Sequence, residues 1–211
     1  MIHCAPIFSD HMILQRDKNI AVFGTGTPGE TVTVSVPERS RSATGTVAPD
    51  GTWRVTLPPA SGGTDCTLTV NDRTFTDVAF GEVWLAGGQS NMEFMLKDAK
   101  GGAEELKHCA DSGVRCFQVP RNTFVDAAYE KEFQNSCWQT ASPETCGTWS
   151  AVAYLAAKEL VRKLGVPVGI IGCNFGGSSV SCWMPETDLQ AHAAGHAYLD
   201  DYREAVQGKT D

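Results

Sequence analysis

The sequence predicts an α/β domain preceded by a small antiparallel β-sandwich, and three observations support that fold class. Short alternating runs of polar and apolar residues fill the segment 19–80. After Phe80, strand patterns alternate with helix patterns, as in a parallel sheet covered by helices. Hydrophobic residues make up 42% of the 211 residues, enough for a packed core. We therefore expect a sandwich over residues 1–78 and an α/β domain over residues 79–211.

The sandwich is predicted from four runs that have the period of a half-buried strand. They are Thr31–Val36, Thr52–Leu57, Cys66–Val70 and Thr74–Val78. Turn dipeptides punctuate the same region at the spacing of roughly 8–12 residues that is typical of sandwiches. They are Pro28-Gly29, Asp50-Gly51, Gly62-Gly63 and Asn71-Asp72.

The second domain is predicted from three strands and one clear helix. The strands are Val83–Ala86, Val114–Val119 and Val168–Cys173. The helix begins after Ser150 as N-cap and ends at Leu164, because Gly165 and Pro167 stop it. Its sheet-facing residues are expected to be Ala153, Ala157, Leu160 and Leu164. The segment 186–206 is predicted to form one or two helices.

The predicted parallel sheet has fewer strands than a complete doubly wound domain. Such domains usually carry about five parallel strands, and nothing after residue 206 resembles another. We therefore expect the domain to be incomplete, either ending or interrupted by an insertion partway through. An unfinished sheet leaves an exposed edge that favours pairing with a partner.

Composition narrows the function classes. A net charge of −8 and a pI near 5.1 argue against a non-specific grip on nucleic acid or on an anionic membrane. Neutral or sugar-like small substrates fit better. The sequence contains no membrane span and no signal peptide pattern, so a cytoplasmic protein is expected; the alternative is export as part of a longer precursor.

The eight cysteines form no C-x-x-C pair, which favours reduced, buried thiols over a disulfide framework or a metal site. They are Cys4, Cys66, Cys109, Cys116, Cys137, Cys146, Cys173 and Cys182. If the protein is exported, Cys137 with Cys146 is the first pair to test for a bridge.

The segment Gly81–Glu93 carries the strongest chemical signal. It is a strand that delivers Ser90 into a turn after Gly87-Gly88, at the start of a helix expected near Met92. Free amides and the dipole of a helix start favour developing negative charge, so Ser90 suits the role of a nucleophile whose own N–H helps to hold an oxyanion. The alternative is an ordinary turn with Ser90 as a helix cap.

This block resembles the nucleophile block of the sialate O-acetylesterase family, a branch of the SGNH hydrolases. The resembling residues are Gly81-Glu82-Val83-Trp84 and Gly88-Gln89-Ser90-Asn91-Met92. Further similar segments follow in the family's order: residues 8–16, 142–145, 150–154 and 164–171. The resemblance implies a flavodoxin-like three-layer SGNH domain, of which this chain carries the first part.

The resemblance also implies roles for individual residues. Ser90 would be the nucleophile, and Gly176 and Gly177 would join its backbone N–H in an oxyanion hole, although on the sequence alone they read as a loop. Trp183 would lie near the pocket and contact substrate, with core packing as the alternative. Gln89 and Asn91 are second-rank candidates for substrate contact; the alternatives are that they orient the turn or that neighbouring backbone satisfies their amides. No metal or organic cofactor is implied.

The general base is not identifiable. The resemblance places the family's Asp-x-x-His block, with the base and its orienting acid, beyond residue 211. His192 and His196 are four residues apart, and Asp188 lies four before His192, which superficially resembles a relay or a metal pair, but a surface or structural role is favoured. His3 and His108 have no sequence reason to approach Ser90, and His11 is expected to help to pack the sandwich onto the second domain.

The sequence thus favours a serine-dependent carbohydrate O-acetylesterase that is weakly active or inactive as an isolated chain. Its substrate would be an acetylated sialic acid or an acetylated plant polysaccharide such as xylan or xyloglucan. The alternative is a non-catalytic carbohydrate- or partner-binding fragment. A third reading adds a second chain or protomer that completes the sheet and supplies the histidine.

Overall fold

The computed structural model describes residues 1–110, 113–121 and 126–207. Its strands are β1 (His3–Cys4), β2 (Ile13–Gln15), β3 (Ile20–Thr25), β4 (Thr31–Val36), β5 (Arg41–Thr46), β6 (Thr52–Leu57), β7 (Gly63–Val70), β8 (Arg73–Gly88), β9 (Val114–Gln118), β10 (Trp138–Thr140) and β11 (Val168–Asn174). Its α-helices are α1 (Ser90–Glu93), α2 (Gly102–Leu106), α3 (Ala127–Gln134), α4 (Ala151–Leu164), α5 (Glu186–Gln190) and α6 (Ala193–Val206).

The N-terminal part is the predicted sandwich. A three-stranded sheet of order β1-β3-β6 packs against β5, β4, β7 and the first half of β8. Inward-facing residues alternate along the strands, and Val32, Val34, Leu57 and Leu68 are completely buried between the sheets. The four predicted strands are confirmed. The turn at Asn71 also behaves as expected, since its φ of +50° lies in the left-handed region.

Strand β8 belongs to both parts of the molecule. Residues Arg73 to Phe80 pair antiparallel with β7, while Glu82 to Gly88 pair parallel with β11. The sequence predicted two strands here, and the structure joins them into one 16-residue strand. The joint lies at Gly81, next to the carbonyl of Pro167, where a side chain would overlap that backbone oxygen.

The second part is a mixed sheet of order β10-β9-β11-β8. Strands β9, β11 and β8 are parallel to one another, as predicted, and β10 adds antiparallel to β9. The three residues of β10 are too few for a strand period, which is why the sequence did not reveal it. The core beside this sheet centres on the buried side chains of Trp149 and Tyr154.

Helix α4 confirms the predicted bounds. The Ser150 hydroxyl accepts a hydrogen bond from the Ala153 N–H at 3.2 Å, and Gly165 ends the helix with a φ of +65°. The predicted inner face is wrong at Leu164, which is 43% exposed. The buried positions are Ala151, Tyr154 and Ala157, three residues apart, so the contact stripe is rotated and does not reach the last turn.

The N-terminal segment that includes His11 ties the sandwich to the second sheet, as expected. Ser9 Oγ accepts from the Trp138 backbone N–H at 2.9 Å, and the indole of Trp138 donates to the Ile7 carbonyl at 2.8 Å. Arg115 on β9 donates to the His11 carbonyl and forms a 2.9 Å ion pair with Asp77. The two parts therefore share hydrogen bonds as well as a strand.

All eight cysteines are free thiols. Cys66, Cys109, Cys116 and Cys146 are buried, and Cys137 and Cys182 are exposed. The pair singled out for a bridge, Cys137 with Cys146, thus joins an exposed thiol with a buried one, and the two are not bonded. In the ranges described above, no helix is long and apolar enough to cross a membrane, and no cluster of three or more metal-ligating side chains occurs.

Candidate active site

The Ser90 turn follows the carboxyl end of β8. Gly88 adopts a φ of +143°, which favours glycine, and the chain then enters the single helical turn α1 at Ser90 itself. The cap of this helix is Gln89, so the alternative reading of Ser90 as the cap is wrong. The Ser90 side chain is exposed at the edge of the sheet.

The second glycine block reaches the same edge from the neighbouring strand. Asn174 at the end of β11 pairs with Gly88, and the Phe175 N–H donates to the Gly88 carbonyl at 3.0 Å. A Cβ placed on Gly176 would lie 3.6 Å from Ser90 Cα. The structure therefore brings Ser90 and Gly176 together at the carboxyl ends of two adjacent parallel strands, where α/β proteins place their ligands.

Two of the backbone donors expected in the oxyanion hole, the N–H groups of Ser90 and Gly176, already have partners. The Ser90 N–H donates to Gln89 Oε1 at 3.0 Å, and the Ser90 hydroxyl donates to the same amide oxygen. The Gly176 N–H donates to the Glu93 carboxylate. A substrate carbonyl would have to displace both side chains to reach these donors.

Sequence reasoning missed the side chains that hold Glu93 in place. Arg121 lies 3.4 Å from the Glu93 carboxylate and donates to the Asn174 carbonyl at 3.0 Å and to its side-chain oxygen at 2.8 Å. Asn174 is almost completely buried and its amide lies 3.5 Å from the Ala86 carbonyl. The available signal was a lone asparagine ending an otherwise apolar strand.

The remaining predicted contacts lie around the same edge. Gln89 anchors the turn, because its amide nitrogen also donates to the Ser178 carbonyl at 3.3 Å. Asn91 is exposed on α1. Trp183 is exposed in a 3₁₀ turn, and its indole N–H donates to Ser178 Oγ at 2.9 Å. Gly177 has a φ of +80°, and a Cβ placed on it would meet no atom within 4 Å.

None of the five histidines hydrogen-bonds to Ser90 in the part of the chain that the structure describes. His11 pairs with Asp77 at 2.7 Å between the sandwich and β9, and His108 pairs with Glu104 on α2. His192 is the N-cap of α6, while Asp188 lies on the separate helix α5, so these two do not share a helical face. The serine therefore has no imidazole base among these contacts.

The outer edge of β8 is open beside the serine turn. Val83 N–H donates to the Gln15 side chain at 3.0 Å, and past this point no strand in the described ranges pairs with that edge. Trp84 and Leu85 are 56% and 69% exposed there. With Met92, Val152, Ala156 and Leu160 they line an apolar groove of about 230 Å³, which we call the edge groove.

Comparison with known proteins agrees with both halves of this architecture. Residues 5–77 match the family model of a bacterial Ig domain, which confirms the sandwich prediction. The sialate O-acetylesterase of Mus musculus is 30% identical over 209 residues, and that of Homo sapiens is 30% identical over 206 residues. Each alignment covers 89% of this chain.

A solved structure is similar over almost the whole chain. The crystal structure of a carbohydrate acetylesterase from Xanthomonas citri superposes with a TM-score of 0.80 at 32% sequence identity and covers 92% of this chain. The chain spans only part of each of these proteins: 44% of that structure, 38% of the mouse protein and 39% of the human protein.

Proposed function

We propose, from the premise that the chain is a homologue of part of the sialate O-acetylesterases, that it carries the nucleophile half of an SGNH-type carbohydrate O-acetylesterase. The observation that carries the proposal is the approach of Ser90 to Gly176 at the carboxyl ends of β8 and β11. A nucleophile and a second backbone donor need this proximity to act on one carbonyl.

The proposed reaction has two steps. Ser90 Oγ attacks the acetyl carbonyl, its proton passes to a base, and the base returns that proton to the sugar oxygen as it leaves. The base then takes a proton from water, whose oxygen attacks the acetyl-serine; the C–O bond to Ser90 breaks, the base returns the proton to Ser90 Oγ, and acetate leaves. The Ser90 and Gly176 N–H groups would stabilise the oxyanion once Gln89 and Glu93 give way, each contributing about 3 kcal/mol.

The proposed base comes from outside the described residues, because none of their histidines hydrogen-bonds to Ser90. We propose that it arrives on a polypeptide segment corresponding to the part of the relatives that this chain does not span, in the same or a separate chain. A parallel strand paired with the open edge of β8 would end beside Ser90. The exposed Trp84 and Leu85 of the edge groove would pack under the helix that follows such a strand.

The nucleophile is tested by joining the two halves. The chain is fused to the part of the Xanthomonas citri acetylesterase outside the match, and hydrolysis of p-nitrophenyl acetate is measured. We expect the fusion to exceed the isolated chain by about 1,000-fold or more, since removing a triad base costs that much. Ser90→Ala abolishes the gain, whereas Ser35→Ala on β4 keeps it.

Labelling with a fluorophosphonate, followed by peptide mass spectrometry, identifies the reactive serine directly. Equal hydrolysis by the folded fusion and its Ser90→Ala variant, without an adduct on Ser90, would contradict the proposed nucleophile.

The edge groove is tested by association in trans. The same acetylesterase part, added as a separate chain, should co-elute with this chain in size-exclusion chromatography. Trp84→Arg should abolish the complex, because a charge would be buried in the apolar groove. The control Phe23→Arg, at an exposed position on β3, should leave the complex intact. Co-elution that survives Trp84→Arg would overturn the placement of the partner.

One observation favours a non-catalytic carbohydrate-binding role for the isolated chain. Both oxyanion donors are occupied by side chains of the chain itself, and Glu93 is fixed by Arg121. A chain in this state binds no acetyl carbonyl at Gly176. This second function would be supported if both the isolated chain and the fusion bound an acetylated sugar without hydrolysing it.

A further inference from the structure

A cleft of about 760 Å³ opens beside Gly176, on the side away from the edge groove. Its walls come from the end of β9, from α3, from the segment 173–183 and from α6. Its size is within the usual range for small-molecule sites. Gly176 lines the cleft, and a Cβ on it would lie 3.6 Å from Ser90 Cα, so the cleft ends close to the serine.

Five of the fifteen residues that line this cleft are aromatic. They are Tyr129, Phe175, Trp183, Tyr198 and Tyr202. Tyr202 and Trp183 are 49% and 40% exposed. Large aromatic rings gathered around a concave surface and left open to solvent are typical of a binding site rather than of packing.

The rings are fixed by contacts at their edges. The Trp183 indole N–H donates to Ser178 Oγ, which itself donates to the Phe175 carbonyl at 2.6 Å. The Tyr198 hydroxyl lies 3.4 Å from Cys182 Sγ, and Tyr129 stacks on Phe133 with centroids 6.1 Å apart. These contacts restrict the rings before a ligand arrives, which lowers the ordering cost of binding.

The described residues of the cleft offer no unpaired positive charge. Among its described lining residues only Arg121 carries a formal charge, and its guanidinium is engaged by Glu93 and Asn174. The desolvation of a sugar carboxylate, such as that of a sialic acid, is offset most strongly by an unpaired cation, which the described lining residues do not offer. The apolar C–H face of an uncharged sugar ring needs only the aromatic faces.

We infer that this aromatic cleft binds the ring of an uncharged acetylated sugar and selects neutral acetylated glycans against sialic acids. The inference rests on the proposed function only for the acetyl group that would project toward Ser90. The recognition itself uses side chains that take no part in bond cleavage.

Binding is measured on the Ser90→Ala chain by titration calorimetry, with acetylated xylo-oligosaccharides and O-acetylated sialyllactose as ligands. We expect the neutral ligand to bind at least tenfold more tightly. Trp183→Ala and Tyr202→Ala should each weaken neutral binding about tenfold, which corresponds to the loss of one ring contact. Phe23→Ala, at an exposed aromatic residue of the sandwich outside the cleft, should leave it unchanged.

Thiol alkylation gives a second readout that locates the ligand. Cys182 lines the cleft and Cys137 does not, although both are exposed. The neutral ligand should slow alkylation of Cys182 severalfold and leave Cys137 unaffected. The inference would be overturned if the sialylated ligand bound as tightly as the neutral one or more tightly. It would also be overturned if neither ligand bound to the chain or protected Cys182. Because Ser90 is absent from the assay, a failed esterase test leaves this outcome unaffected.

Discussion

At the scale of single residues, Gln89 and Glu93 set the present state of the candidate site. Each side chain satisfies a backbone N–H that an oxyanion would otherwise use. The sequence could place Ser90, because a strand followed by Gly87-Gly88 leaves few local conformations. It could not place Glu93, whose position depends on Arg121 and Gly176, which lie far away along the chain.

Cysteine reactivity is predicted to divide by environment. Hydrogen bonds with Tyr198 and Ser179 lower the pKa of the exposed Cys182, whereas burial raises the pKa of Cys116 and of Cys146 to about 12. Since the thiolate is the reactive form, iodoacetamide should modify Cys182 first and the two buried thiols at least about tenfold more slowly. Peptide mass spectrometry over a time course measures each rate.

The control for this prediction is Tyr198→Phe, which removes the hydroxyl beside Cys182. It should slow alkylation at Cys182 and leave the exposed Cys137 unchanged. Modification of Cys116 or Cys146 ahead of Cys182 in the folded protein would contradict the described packing.

At the scale of elements, the sequence predicted the strands and helices that have a regular pattern, but not the point where one strand continues from the sandwich into the second sheet. The alternation in β4 and β6 and the two caps of α4 are local signals, and the structure confirms them. The passage of β8 through Gly81 carries no local signal, because glycine there is read as a break. Only the approach of Pro167 from a distant segment explains why the strand continues with a glycine.

Gly81→Ala should therefore destabilise the fold. The new methyl group would overlap the Pro167 carbonyl oxygen, a backbone atom that accepts from the Glu82 N–H at 3.1 Å. Overpacking of this kind costs about 2–3 kcal/mol. Thermal unfolding should show a loss of about 5–10 °C.

Gly87→Ala is the matched substitution in the same strand. Its methyl group would lie 3.7 Å from the Cys173 carbonyl oxygen, an ordinary contact, so the change should stay within about 0.5 kcal/mol. Equal destabilisation by both variants would mean that the close approach at Gly81 is not what fixes this residue.

At the scale of the whole molecule, Asp77 joins the sandwich to the second sheet. Burial alone would raise the pKa of this carboxyl, but its hydrogen bond with His11 and its attraction to Arg115 outweigh that effect and lower it. A carboxylate with a lowered pKa stabilises the folded state above its unfolded pKa of about 4, and that contribution is lost as the pH falls further.

Asp77→Asn should thus cost about 1 kcal/mol near neutral pH, a modest value because the side chain is 40% exposed to screening solvent. The difference from the parent chain should shrink below about pH 4, where the parent carboxyl takes up a proton. Urea unfolding at several pH values measures it. Asp201→Asn, at an exposed site on α6, should show no such dependence; a constant difference for Asp77→Asn down to pH 3 would contradict the assignment.

The overall topology was partly predictable. The number of strand patterns indicated an unfinished sheet, but local patterns do not tell which edge stays open. The open edge depends on β11 inserting between β8 and β9, and Val168 of β11 pairs with Glu82 and Val114, which lie 86 and 54 residues before it in sequence. The aromatic cleft was missed for the same reason, since Tyr129, Trp183 and Tyr202 meet only in the folded chain.

The unbroken strand β8 has a consequence for how such proteins can be rearranged. Ig-like domains elsewhere are joined by linkers, so whole domains can be deleted or exchanged as modules. Here the last strand of the sandwich is also the strand that ends at the candidate nucleophile. A cut between residues 78 and 79 would sever the strand that positions Ser90. The sandwich therefore cannot be removed as a separate module without disturbing the candidate site.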